Sequence, residues 1–114
     1  MESYLKDILD ILDATEKSGR IDYVSFPNSA WNSQNITSEM IKDMEDNYLI
    51  NIERAEDSSF KGITLASTGR SILRALKNKT VTTTLLTQAK DQGESPSVSY
   101  IVGAARRIAK EMDI

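Results

Sequence analysis

The chain has 114 residues, 39% of them hydrophobic and 27% charged, with a formal net charge of −3; that is enough material for one core and too little for two comfortable ones. It contains neither histidine nor cysteine, which removes the commonest general base, the best thiol nucleophile, any disulfide framework and any zinc site built from those ligands. No run approaches the ~18 consecutive apolar residues of a membrane span, and the acidic, amphipathic opening from Met1 to Asp7 lacks the basic and apolar blocks of a signal peptide, so the expected compartment is the cytoplasm.

Leu5, Ile8, Leu9 and Leu12, flanked by Tyr4 and Ile11, recur at helical spacing and predict a first helix of about four turns. Gly19 is its expected stop, because glycine takes the left-handed conformation without steric cost. Ile21 to Phe26 alternates apolar and polar residues and reads as a short strand or extended connector closed by Pro27-Asn28. The polar stretch from Asn28 to Asn35 holds the lone Trp31, expected to plug the base of the domain. Thr37 or Ser38 then caps a second helix whose buried stripe is Met40, Ile41, Met44 and Tyr48.

From Leu49 the period changes to two. Leu49 to Arg54, the charged turn Glu56-Asp57-Ser58-Ser59 and the run Phe60 to Leu65 predict a hairpin, and a hairpin placed directly after a helix is the wing of a winged helix. Ser67 or Thr68 starts the next helix, which turns Ile72, Leu73 and Leu76 inward and ends on Lys77-Asn78-Lys79, where cations suit the macrodipole. The expected fold is therefore α+β and mainly helical: a winged helix-turn-helix over residues 1–79, followed by a two-helix C-terminal extension over 80–114. In that extension Val81, Leu85, Leu86 and Ala89 keep helical spacing despite the weak propensity of Thr82-Thr83-Thr84. Gln92-Gly93-Glu94 breaks the pattern, and Ser95-Pro96 offers a cap with proline at the first helical position. In the last helix Val98, Ile101, Ala105, Ile108 and Met112 recur at three, four, three and four. Such a stripe serves either a helix packed on its own domain or a short homodimer seam.

Two of these segments carry a resemblance. The passage Met44-Glu45-Asp46-Asn47-Tyr48-Leu49-Ile50 and the helix opening Leu65-Ala66-Ser67-Thr68-Gly69-Arg70-Ser71-Ile72-Leu73 resemble the YjcQ-type winged-helix proteins and a related family of uncharacterised bacterial and prophage proteins. The linker Gly93 to Val98 and the last Ala/Lys-rich helix are similar as well. Ala66 departs from the pattern, standing where that family has a capping Thr, and the early aromatic of the tail helix is missing near Val81. The resemblance implies a winged helix of phage or mobile-element type and brings no activity, cofactor or site residue with it.

Charge separates the functional readings. Residues 1–60 hold five basic and thirteen acidic side chains, and residues 61–114 hold nine basic and four acidic, so net −8 and net +5 make up the total of −3. The helix before the wing, which enters the major groove in DNA-binding winged helices, carries Glu39, Asp43, Glu45 and Asp46 against Lys42 alone. A DNA reader needs cations there to release counterions. The favoured expectation is accordingly a non-enzymatic protein-interaction module that engages a protein partner through Glu39, Asp43 and Asp46, and that imitates DNA toward a nucleic-acid enzyme in its most specific form. The alternative is a dimeric transcriptional regulator that contacts DNA through Lys61, Arg70, Arg74, Lys77, Arg106 and Arg107 and pairs through Val98, Ile101, Ala105, Ile108 and Met112. No catalytic residue, metal site or cofactor is expected in either case.

Overall fold

The structure is a computed structural model that describes residues 2–22, 38–54, 56, 60–95 and 97–113. The expected strand beyond Asp22, the Trp31 plug and the Thr37 cap lie outside these residues. Helix α1 (Glu2–Ser18) buries Leu5, Ile8, Ile11, Leu12 and Thr15 on one face. The Thr15 hydroxyl donates to the Ile11 carbonyl at 2.6 Å, so the one polar member of that face is satisfied inside the helix. Gly19 ends the helix at φ 76°, its N–H donating to the Thr15 carbonyl at 2.9 Å. Strand β1 is short, Ile21–Asp22.

Helix α2 (Ser38–Asp46) buries Met40, Ile41 and Met44 and leads into strands β2 (Ile50–Arg54) and β3 (Phe60–Leu65). These two pair antiparallel with Ile50 opposite Leu65 and Ile52 opposite Ile63, the register shifting between Glu53 and Arg54. Strand β1 adds to the other edge of β3, with Ile21 opposite Ile63, giving a three-stranded sheet in the order β1-β3-β2. Cross-strand partners share a face, so Ile21, Ile63 and Ile52 form one apolar row against the helices.

Helix α3 (Ser67–Lys77) starts without a side-chain cap: the N-cap position falls on Ala66, whose methyl can accept nothing. The expected cap on Ser67 or Thr68 is thereby corrected. The helix start is set instead by the hairpin, because the Ala66 N–H donates to the Leu49 carbonyl at 3.1 Å and fixes where the chain leaves β3. Asn78 then ends α3 and begins helix α4 (Lys79–Gln92), its side-chain oxygen accepting from the Thr80 and Val81 amides at 2.9 and 3.3 Å. Thr82 of the threonine run donates its hydroxyl to the Leu76 carbonyl at 2.7 Å, satisfying one of the carbonyls that α3 leaves open at its end. A poor helix former is thus used where its hydroxyl has a partner.

Helix α4 closes at Gly93, φ 65°, with the Glu94 N–H reaching back to the Ala89 carbonyl at 2.9 Å. Helix α5 (Val98–Glu111) is capped by Ser97, whose hydroxyl accepts from the Tyr100 amide at 3.1 Å. The expected Ser95-Pro96 cap is corrected by two residues, since the side chain that reaches the first-turn amides is that of Ser97. Helix α5 packs on α2, α3 and α4, and its buried residues join Leu5, Met44 and Ile72 in a continuous hydrophobic cluster. The C-terminal helices therefore pack in cis, and the architecture is α+β and mainly helical. No helix of the described residues is long and apolar enough to cross a membrane.

Candidate functional site

Two surfaces gather the charged and exposed side chains: the junction of α2 with the hairpin, and the outer faces of α3 and α5. The junction is built by a helix that must become a strand within three residues. At the end of α2 the Tyr48 N–H donates to the Glu45 carbonyl at 2.9 Å and the Leu49 N–H to the Met44 carbonyl at 3.0 Å, the paired bonds of a Schellman motif. That motif places Tyr48 in the left-handed region at φ 63°, a conformation costing a non-glycine residue about 1–2 kcal/mol. It also buries Leu49 while turning Tyr48 outward to 74% exposure. The expected burial of Tyr48 as the fourth member of the α2 stripe is thus corrected: the helix stops two residues before it.

The same turn explains Gly69. A Cβ at this position would overlap the Leu49 carbonyl oxygen and press on the Leu65 side chain, so α3 can lie against the strand entry only where residue 69 has no side chain. Tyr48, Glu45, Asn51 and the α3 residues Ser67 and Thr68 line an open cleft of 560 Å³ beside this contact.

The junction is acidic, and its cations are tied down. Arg54 on β2 makes a bidentate pair with Glu45 on α2, both bonds 2.8 Å, and Lys42 reaches Asp46 at 3.1 Å and Glu45 at 3.7 Å. On the hairpin Lys61 lies 3.9 Å from Glu53, which Arg20 also contacts. The hydrogen bonds from Arg54 hold the Glu45 carboxyl below the usual carboxylate range against the opposing effect of burial. Glu39 is exposed and Asp43 half-buried, and neither has a cation partner among the described residues. Both bear on the half-buried Tyr4 phenol, whose pKa is raised by burial first and then by the negative charges of Asp43 and Glu39. Glu39, Asp43 and Asp46 thus lie on one short helix, with Tyr4 beside the first two and Tyr48 just past its end.

The cations of the second surface fall into two groups. Lys77 is engaged with α1, 3.3 Å from Asp13 and 3.5 Å from Glu16, and Arg107 donates to the Gln88 side-chain oxygen on α4 at 2.6 Å. In contrast, Arg74 of α3 and Arg106 and Lys110 of α5 converge on an open cleft of 460 Å³ that also takes in Ser71 and Asp113. No ion pair or hydrogen bond joins these three cations to a described residue. Arg70, one turn before Arg74, is likewise exposed and unpaired among the described residues.

The expected dimer seam is corrected. Val98, Ile101, Ala105 and Ile108 are at most 1% exposed, and Met112 alone of the five stands out, at 37%. The stripe is spent on the chain's own core, because α5 faces α2, α3 and α4 at once. Sequence reasoning missed Tyr48 as an exposed residue, although a helix abutting a strand signals that one residue between them must turn. It also had no means of separating Arg74 and Arg106 from Lys77 and Arg107, since their partners come from other helices. Among the described residues there is no group of three His, Cys, Asp or Glu side chains able to hold a metal ion. Comparison with family models, with curated proteins and with solved structures finds no match.

Proposed function

We propose that this chain is a non-enzymatic winged-helix module that docks a protein partner through the surface made by α2, Tyr48 and the β2–β3 hairpin. The order of α1, β1, α2, hairpin and α3, with β1 added to the hairpin as a third strand, supports the winged-helix reading, as does the resemblance of the Leu65–Leu73 segment to the YjcQ-type proteins. In that reading α2 occupies the place of the helix that enters the major groove and the hairpin is the wing.

The observation that carries the proposal is the fate of the cations on this surface. Lys42, Arg54 and Lys61 are all paired with acids of the same surface, so nothing is left to displace counterions from DNA, while Glu39 and Asp43 keep their charge unopposed. An exposed tyrosine on a turn that costs backbone energy adds the kind of aromatic anchor enriched at protein interfaces. The partner that fits has a basic surface, and a nucleic-acid-binding protein whose DNA groove this face would occupy is the specific form. A regulator docking its wing on DNA is disfavoured, because Lys61 is tied to Glu53 and the stripe that would pair two chains is buried.

The test is cross-linking capture from the native host, with the attachment sites mapped. The expected result is a partner cross-linked around α2 and Tyr48, lost when Glu39→Lys, Asp43→Lys and Asp46→Lys are combined and the melting curve is retained. Capture unchanged by the triple variant, or attachment sites confined to other helices, overturns the reading.

A further inference from the structure

Ion pairing is distributed unevenly over the molecule. Lys17, Arg20, Lys42, Arg54, Lys61 and Lys77 each pair with an acid of the chain itself. Arg74, Arg106 and Lys110 pair with no acid among the described residues, although the chain as a whole carries an excess of acids, and these three are gathered at one place, the cleft between α3 and α5. Like charges held together in excess of any counter-charge repel one another, and a bound anion relieves that cost. Asp113, held in the left-handed region at φ 58°, brings one carboxylate to the same cleft and leaves it net positive.

We propose that the α3–α5 cleft, through Arg74, Arg106 and Lys110, binds the phosphodiester backbone of a nucleic acid without reading its sequence. Three features favour an extended backbone over a small phosphate ligand. The cleft is open and, among the described residues, holds no aromatic side chain on which a base could stack. Arg106 and Lys110 lie one helical turn apart on α5, and outside the cleft Arg70 lies one turn before Arg74 on α3, a rise of about 6 Å along each helix. Arg70 thus continues the charge beyond the cleft along α3, as a polyanion would require. Ser71, which also lines the cleft, donates its hydroxyl to the Ser67 carbonyl at 3.3 Å and leaves the phosphate contacts to the cations. The site is separate from the α2 surface, so either can fail without the other.

The experiment is a fluorescence-anisotropy titration of the full chain into labelled mixed-sequence oligonucleotides, duplex DNA and single-stranded RNA of equal length in parallel, across a salt series. Three phosphate contacts give a log–log salt slope of about −3 on duplex DNA and a shallower one, about −2, on a single strand. Each of Arg74→Ala, Arg106→Ala and Lys110→Ala reduces the slope by about one. Lys61→Ala and Arg107→Ala, whose side chains are engaged within the chain, leave it unchanged. All five positions are exposed, and unchanged melting curves show that the comparison is made on folded protein. Binding to either nucleic acid with this pattern supports the proposal, and the tighter arm identifies the form of backbone preferred. Absence of binding at low salt, a slope untouched by the three cleft variants, or displacement by inorganic phosphate as effective as by oligonucleotide at equal phosphate concentration overturns it.

Discussion

The two charged surfaces obey different rules. At the junction of α2 and the hairpin, acids outnumber cations and lie within reach of every cation there, so Arg54 and Lys42 are consumed in holding α2 to β2 and in quieting its last turn. On α3 and α5 the cations outnumber the acids, and among the described residues only those facing another helix, Lys77 and Arg107, find a partner. Net charge per half of the chain predicted the sign of each surface, while the free charge on it depends on which side chains face which neighbour. Exposed ion pairs contribute little to stability; their larger effect here is to cancel positive charge on one surface and leave it uncancelled on the other.

The contact where the two surfaces meet is the place to break the comparison. Gly69→Ala forces a methyl into the Leu49 carbonyl, and α3 must move away from the strand entry. The expected loss is about 3 kcal/mol, measured as a lower denaturation midpoint, with partner capture and oligonucleotide binding both weakened. A loss below about 0.5 kcal/mol shows that α3 does not depend on this approach.

A smaller and opposite effect is expected at Tyr48. Tyr48→Gly relieves the left-handed residue at the end of α2 and stabilises the fold by about 1 kcal/mol, while removing the exposed ring. Capture of the protein partner falls and oligonucleotide binding stays unchanged, which separates the two surfaces in a single variant. Stabilisation with capture retained shows that the ring is no anchor.

The smallest effect sharpens the contrast through pH. Hydrogen bonds from Arg54 lower the Glu45 pKa, and those from Lys17 first and Lys77 after it lower that of Asp13. A carboxyl with a lowered folded pKa contributes stability that is fully present above its unfolded pKa and is lost as pH falls through the folded one. Stability therefore declines modestly below the usual carboxylate range, because both carboxyls are partly exposed and screened. Loss of the Glu45–Arg54 pair loosens α2 from β2, a contact the α3–α5 cleft does not share, so partner capture fades while oligonucleotide binding holds. Parallel loss of both activities under acid, with the fold intact by circular dichroism, contradicts the separation.

Much of the fold is legible locally. The α1 stripe with its glycine stop, the hairpin between Ile50 and Leu65, the break at Gly93 and the apolar stripe of α5 follow from periodicity and from the conformational freedom of glycine. The caps were less legible: Ala66, Asn78 and Ser97 hold positions that neighbouring Ser and Thr residues could equally have taken, and the choice between them rests on where β3 and α4 deliver the chain. The candidate sites were legible as residue types and signs, with Glu39, Asp43 and Asp46 on one helix and Arg70, Arg74 and Arg106 in the basic half.

Sequence alone determined the class of elements, their order, the segregation of charge between the two halves and the lack of histidine and cysteine chemistry, because these depend on composition and on short-range spacing. Tertiary structure decided the rest. It put Val98, Ile101, Ala105 and Ile108 into the chain's own core, turned Tyr48 outward, and gave Gly69 its reason in the carbonyl of Leu49. It also brought Arg74, Arg106 and Lys110 together at one cleft, without partners among the described residues. Each of these is a relation between residues distant in sequence, and a periodic pattern specifies which face of an element is apolar without specifying what that face will meet.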